Sequence, residues 1–122
     1  LIAGSGGLLR LPHRIPRQIA LEYALTGALM TAAEARQWGL INRLVPAGEA
    51  LTHAIELARQ IAANAPLAVS ASRDIVRHAT DWPANERWAR QNILLEKVLA
   101  SNDAKEGARA FAERREPRWQ GH

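Results

Sequence analysis

The chain has no cysteine. That excludes a disulfide framework and a thiolate metal site, and it fits a reducing compartment. Aromatic residues are scarce, at 5%, so a core built on large rings is not expected. No apolar run approaches the roughly 20 residues that a membrane-spanning helix needs, so no membrane partner is expected. The histidines are His13, His53, His78 and His122, and no pair has the helical spacing of metal ligands. No metal site is therefore expected. No repeat and no low-complexity segment is present.

The 122 residues suit one domain or part of a larger one. The only methionine is Met30 and the chain opens on Leu1, so a piece of a longer subunit is expected. The hydrophobic fraction is 48%. Most of it is Ala and Leu, which with Glu, Arg and Gln are good helix formers. Helices packed closely through small side chains follow from that composition. Lys and Arg number 16 against 12 Asp and Glu, a formal charge of +4, with Arg supplying nearly all of the positive charge. Arg suits forked contacts with phosphate, which leaves an anionic ligand or nucleic acid open. A solvated surface accounts for most of these charges.

Local signals predict mainly helices. Gly4 to Gly7 form a turn, and a short helix from about Ser5 to Leu11 is broken by Pro12. Pro16 can open the next helix, with Ile19, Ala20, Tyr23 and Ala24 on one face and Gly27 as its left-handed cap. Thr31-Ala32-Ala33-Glu34 reads as a capping box whose short helix stops at Trp38-Gly39. Leu40 to Pro46 alternates loosely and is expected to be one short strand, which needs a partner elsewhere. Leu51, Ile55, Ala58 and Ile61 mark an amphipathic helix, and Pro66 starts another carrying a stripe of small residues. Trp88, Gln91, Leu95, Val98 and Leu99 line a longer helix. Ser101-Asn102-Asp103 begins a last one, with acids favoured at its positive end, and it finishes near Arg114-Arg115.

Few residues suggest chemistry by themselves. Gly4-Ser5-Gly6-Gly7 could present backbone amides to an anion or a water, yet it is neither a P-loop nor a dinucleotide fingerprint, and a tight turn explains it as well. Ser5 and His13 lack the Gly-x-Ser-x-Gly elbow of a hydrolase. The carboxylates lie in polar, charge-rich stretches without the apolar setting that acid–base work requires. Phe111, Arg114, Arg115, Arg118 and Trp119 combine ring faces with cations. Such a set can stack on a purine and pair with phosphates, but a helix end with favourable charges and two covering aromatics is the plainer explanation.

Taken in order, these segments resemble one family. Gly4-Ser5-Gly6-Gly7-Leu8-Leu9-Arg10-Leu11-Pro12, then Leu25-Thr26-Gly27 with Thr31-Ala32-Ala33-Glu34-Ala35, then Trp38-Gly39-Leu40-Ile41-Asn42-Arg43-Leu44-Val45-Pro46, are similar to enoyl-CoA hydratase/isomerase (crotonase) signatures. So are Ser101-Asn102-Asp103-Ala104-Lys105-Glu106-Gly107, Ala110-Phe111 and Arg114-Arg115-Glu116-Pro117. The resemblance implies an α/β crotonase fold in the full subunit, a ClpP-like spiral of ββα repeats, of which this chain is the C-terminal half. It assigns residues 1–46 to the end of the crotonase core and 47–122 to a helical trimerisation region. The segment itself is then mostly α-helical with one short strand.

The implied function is addition of water to a 2-enoyl-CoA thioester, as in fatty-acid β-oxidation. The acyl-CoA is substrate, not cofactor. Two backbone amides would stabilise the thioester enolate. The two glutamates that handle the water fall outside this segment. Gly4 matches the glycine whose backbone helps hold the catalytic water, although Ala3 stands where many members have Pro. Leu95 matches a position near the acyl pocket. Phe111 and Arg114 match positions that approach the CoA adenine and phosphates, commonly those of a neighbouring subunit. Many members have Lys where this chain has Arg114. The implied partners are the N-terminal half of the same subunit and other copies, in a homotrimer or a hexamer made of two trimers. The implied compartment is the bacterial cytoplasm, or the mitochondrion in a eukaryote. The alternatives are an isomerase, a non-catalytic member that binds acyl-CoA or oligomerises, and an unrelated basic helical module for nucleic acid. Interleaved Glu and Arg argue against the last.

Overall fold

The computed structural model describes residues 2–122. Leu1, which the sequence reading placed at the head of the 1–46 region, lies outside the described residues. Among these residues the chain forms seven α-helices and one 3-10 turn. They separate into two compact units that divide after Ala50.

In the first unit, Gly6 adopts a left-handed backbone (φ 87°) and the chain turns into α1 (Gly7–Arg10). The Arg10 guanidinium laces this turn, donating from Nη2 to the Ser5 carbonyl at 2.8 Å and from Nε to the Gly6 carbonyl at 3.3 Å. The helix is shorter than the sequence suggested. It tightens at once into the 3-10 turn Leu11–His13, because Pro12 has no amide to continue an α-helical ladder. Pro16 then stands immediately ahead of α2 (Arg17–Thr26), and its carbonyl accepts the Ile19 and Ala20 amides. Gly27 ends α2 in the left-handed conformation (φ 66°), as expected. The capping box opens α3 (Ala32–Gln37): the Glu34 amide donates to the Thr31 hydroxyl at 3.2 Å, and the Thr31 amide donates to the Glu34 carboxylate at 2.8 Å. The buried apolar groups of this unit are Ile15, Ala20 and Ala35, two of them alanines, in line with packing through small side chains.

One expectation is corrected. Residues 40–46 form no strand, and no strand occurs among the described residues. The Leu40 and Ile41 amides both turn back to the Ala35 carbonyl, at 2.8 and 3.3 Å. An alternating pattern favours a strand only where a second strand supplies the ladder, and none is present here.

The second unit is helical: α4 (Ala50–Ala62), α5 (Pro66–His78), α6 (Arg87–Leu99) and α7 (Asn102–Glu113). Helix α6 packs on both α5 and α7. The Asn64 side-chain amide donates to the Gln60 carbonyl at 2.8 Å, which finishes α4, and Pro66 occupies the first turn of α5. Ala110 is the buried apolar residue of this unit, and large side chains such as Leu51, Val76, Trp88 and Leu99 stand exposed.

Candidate functional site

The densest polar construction is the end of α7 and the tail that returns along it. Ser101 caps the helix, its hydroxyl accepting the Ala104 amide at 3.1 Å and donating to the Val98 carbonyl at 2.6 Å. Asp103 follows in the first turn and is 2% exposed. Its carboxylate does more than favour a helix N-terminus. It accepts the Gln120 amide at 2.7 Å and the Gly121 amide at 2.9 Å, so it anchors the chain's last residues. The Asn102 amide adds a bond to the His122 carbonyl at 2.9 Å.

Trp119 fixes the middle of the tail. Its indole N–H donates to the Ala63 carbonyl at 2.8 Å, at the end of α4. Its ring lies on Gly107, where an added Cβ would come within 3.3 Å of it. A glycine inside a helix costs about 1 kcal/mol relative to alanine, and close approach of the indole gives Gly107 its reason.

Glu106 lies between these anchors. Its carboxylate takes two nitrogens of the Arg115 guanidinium, at 2.6 and 3.1 Å, and the Arg118 amide at 2.8 Å. Arg115 also donates from Nε to Glu113 at 2.6 Å. The hydrogen bonds from Arg115 and Arg118 hold the Glu106 carboxyl down at about 2, and the two glutamates push Arg115 further up. A groove of about 530 Å³ runs along this cluster, with Lys105, Arg109 and Arg118 among the side chains on its walls.

Arg114 stands just past the last turn of α7. It is the one non-glycine residue among those described with a left-handed backbone, at φ 53° and ψ 44°. The Arg114 amide donates to the Phe111 carbonyl at 3.2 Å and the Arg115 amide to the Ala110 carbonyl at 3.0 Å. This is the Schellman pattern, in which the left-handed position is usually glycine. Phe111, one turn earlier, is 88% exposed.

Sequence reading singled out four positions. Phe111 and Arg114 fall together at the end of α7, and Leu95 lies on α6, which packs on α7, with its side chain exposed. Gly4 belongs to the other unit. Its amide donates to the Ile2 carbonyl at 2.9 Å, and a Cβ there would meet nothing within 4 Å. Sequence reading missed the Asp103 and Glu106 anchors. Their partners lie 9 to 18 residues away, beyond any local pattern.

The remaining acid chemistry is modest. The Thr31 hydroxyl, the Thr31 amide and the Tyr23 hydroxyl hold Glu34 below the usual carboxylate range. Burial, and then the hydrogen bond to Glu34, push the Tyr23 hydroxyl up. Both shifted carboxylates, Glu34 and Glu106, are thus fixed as acceptors, which is the opposite of a general acid. No group of three or more metal-ligating side chains occurs among the described residues. No helix among them is long and apolar enough to cross a membrane.

Comparison with known proteins gives these features a setting. The family described as enoyl-CoA hydratase/isomerase matches residues 1–122. A protein of Salmonella arizonae named carnitinyl-CoA dehydratase is 46% identical over 126 residues, covering 100% of this chain and 48% of its own length. A crystal structure of enoyl-CoA hydratase from Mycobacterium tuberculosis H37Rv is similar at a TM-score of 0.95 and 53% identity, over 100% of this chain and 48% of that one. An enoyl-CoA hydratase from Bacillus anthracis gives 0.93 and 33%, over 100% and 47%. The chain therefore spans about half the length of the relatives it matches. That share carries no support for the expected C-terminal placement. On a match along its whole length, the chain belongs to the enoyl-CoA hydratase/isomerase family.

Proposed function

We propose that the full-length protein adds water across the double bond of a 2-enoyl-CoA thioester, and that the end of α7 helps hold the nucleotide part of the CoA. The observation that carries this reading is the left-handed backbone of Arg114, three residues after the exposed Phe111 at the same helix end. A non-glycine side chain held in a sparsely populated conformation points to a use for that side chain. A guanidinium and an open aromatic ring offered by one helix end suit an adenine nucleotide bearing phosphates. Leu95 would lie toward the acyl chain, and Gly4 would lend its backbone to the catalytic water. The acids that activate that water would come from the rest of the subunit, since both shifted carboxylates here are committed acceptors. The exposed apolar side chains of α4 to α7 are surfaces for the rest of the subunit or for further copies in a trimer or a pair of trimers.

A second reading has its own support. Relatives at 46% and 43% identity carry the name carnitinyl-CoA dehydratase. Dehydration of a hydroxyacyl thioester is the same chemistry run backwards, so the two readings share a site and differ in acyl group. A nucleic-acid module is disfavoured by the pairing of cations with acids, as in Arg73–Asp74, Arg90–Glu86 and Arg115–Glu106. The test is to give the full-length protein crotonyl-CoA and, separately, a hydroxyacyl-CoA, and to identify the products by mass and by proton NMR of the acyl group. A product one water heavier from crotonyl-CoA supports hydration. Shift of the double bond without water would establish an isomerase. No turnover of either thioester, with acyl-CoA still bound, would establish a non-catalytic member.

A further inference from the structure

The Arg114 side chain is exposed and takes no part in the Glu106–Arg115 network around it, its backbone amide alone bonding to the Phe111 carbonyl, yet the residues on either side of it are tied down. Just before it, the Glu113 carboxylate accepts from Arg115 Nε at 2.6 Å. Just after it, Arg115 is forked onto Glu106, on the body of α7. The same Glu106 carboxylate also takes the Arg118 amide at 2.8 Å. One acid therefore closes the chain leaving the helix back onto the helix. Glu106 is the better covered partner: its side chain is 18% exposed and that of Arg115 35%. A left-handed backbone is unfavourable for an L side chain, so a released chain drifts toward the ordinary regions and carries the guanidinium with it. Asp103 and Trp119 secure the tail farther on and do not bracket Arg114 itself.

We propose that Glu106 is a positioning residue for acyl-CoA binding. By clasping Arg115 and the Arg118 amide it holds Arg114 in the left-handed turn that aims its guanidinium at the phosphates of the CoA. This rests on the reading that Arg114 contacts the CoA. A merely structural Glu106 would steady the tail and leave recognition of the nucleotide unchanged.

The experiment uses full-length protein with two substrates, crotonyl-CoA and a crotonyl thioester of N-acetylcysteamine, which lacks the nucleotide and its phosphates. The variants are Glu106→Gln, Arg114→Ala and the two combined. Loss of one charge-assisted contact predicts that Arg114→Ala raises KM for crotonyl-CoA roughly tenfold. Glu106→Gln, acting through it, raises the same KM roughly threefold or more, with kcat moving less than KM. KM for the truncated thioester stays within about twofold in each. The double variant shows no further rise in KM over Arg114→Ala, because the two residues act in series.

If Arg114→Ala raises KM and Glu106→Gln does not, the positioning role is overturned and the CoA contact stands. Equal rises for both substrates, or additive rises in the double variant, overturn it too. An unchanged KM in Arg114→Ala removes the CoA contact and the positioning role together. Should Glu106→Gln fail to fold, Arg115→Gln opens the clasp from the other side with α7 unaltered, and an unchanged KM for crotonyl-CoA in that variant overturns the proposal.

Discussion

Helices α2 and α7 both end on a left-handed residue, and they do so by different means. Helix α2 ends on Gly27, at φ 66° and ψ 15°, and α7 on Arg114, at φ 53° and ψ 44°. Around Gly27 the supporting bonds are local: its amide reaches Tyr23, and the Thr26 hydroxyl donates to the Glu22 carbonyl at 2.8 Å. Glycine needs nothing more there, because it carries no Cβ to clash. Around Arg114 the local bonds are supplemented by a clasp from Glu106, and the tail beyond it is anchored separately on Asp103. The conformation that glycine adopts freely is imposed on arginine by its surroundings. On the proposed contact with CoA, the difference marks where a side chain is wanted. The first end closes a helix, and the second presents a cation.

The comparison breaks most sharply at the tail. Asp103→Ala removes a buried acceptor of two amides and should destabilise the second unit by about 3 kcal/mol, the range for hydrogen bonds to a charged group. Chemical denaturation of the full-length protein checks this, and a loss near zero would mean that the tail is held without Asp103. Gly27→Ala comes next. It forces a Cβ into a left-handed backbone at a cost of about 1–2 kcal/mol, although a Cβ there meets no atom within 4 Å. A melting temperature equal to that of the parent protein would show that the turn simply relaxes. Arg114→Gly should have the opposite sign, a gain of up to about 1 kcal/mol, since it releases the same cost. A destabilised Arg114→Gly would show that the side chain supports the fold.

The smallest expected effect is that of mild acid on the clasp. The folded-state value of Glu106, about 2, lies below its ordinary 4.5. Its stabilising contribution is therefore fully present above pH 4.5 and is lost as pH falls toward about 2. Between pH 6 and pH 4 the Glu106 carboxyl resonance should barely move. Titration inside that window would mean that the clasp is open in solution.

The same contrast explains what the sequence made legible. The cap at Gly27, the opening at Pro16, the Thr31–Glu34 box and the Ser101 cap are contacts within about one helical turn, so residue type and spacing reveal them. The end of α7 was legible in its charge and not in its backbone: cations at a helix end are expected, but nothing local says that Arg114 is left-handed. Residues 40–46 misled for a related reason. Alternation shows which side chains favour opposite faces, and a ladder also needs a second strand, which no description of one segment can supply. Asp103 resembled a helix-end acid because its amide partners lie 17 and 18 residues away. Phe111 and Arg114 were singled out through the ordered family motifs, and their contact with CoA is the proposal made above. Glu106 was part of the same motif, yet its role emerges only when the tail is folded back on α7.

The measurement that bears most directly on the account is the KM for crotonyl-CoA of full-length Arg114→Gly, taken beside its stability. Glycine keeps the left-handed turn and removes only the guanidinium, so a failed fold cannot masquerade as lost recognition. The account predicts a KM raised roughly tenfold with stability equal to or above that of the parent protein. An unchanged KM would contradict it, and would leave Arg114 a costly helix end with no ligand to explain it.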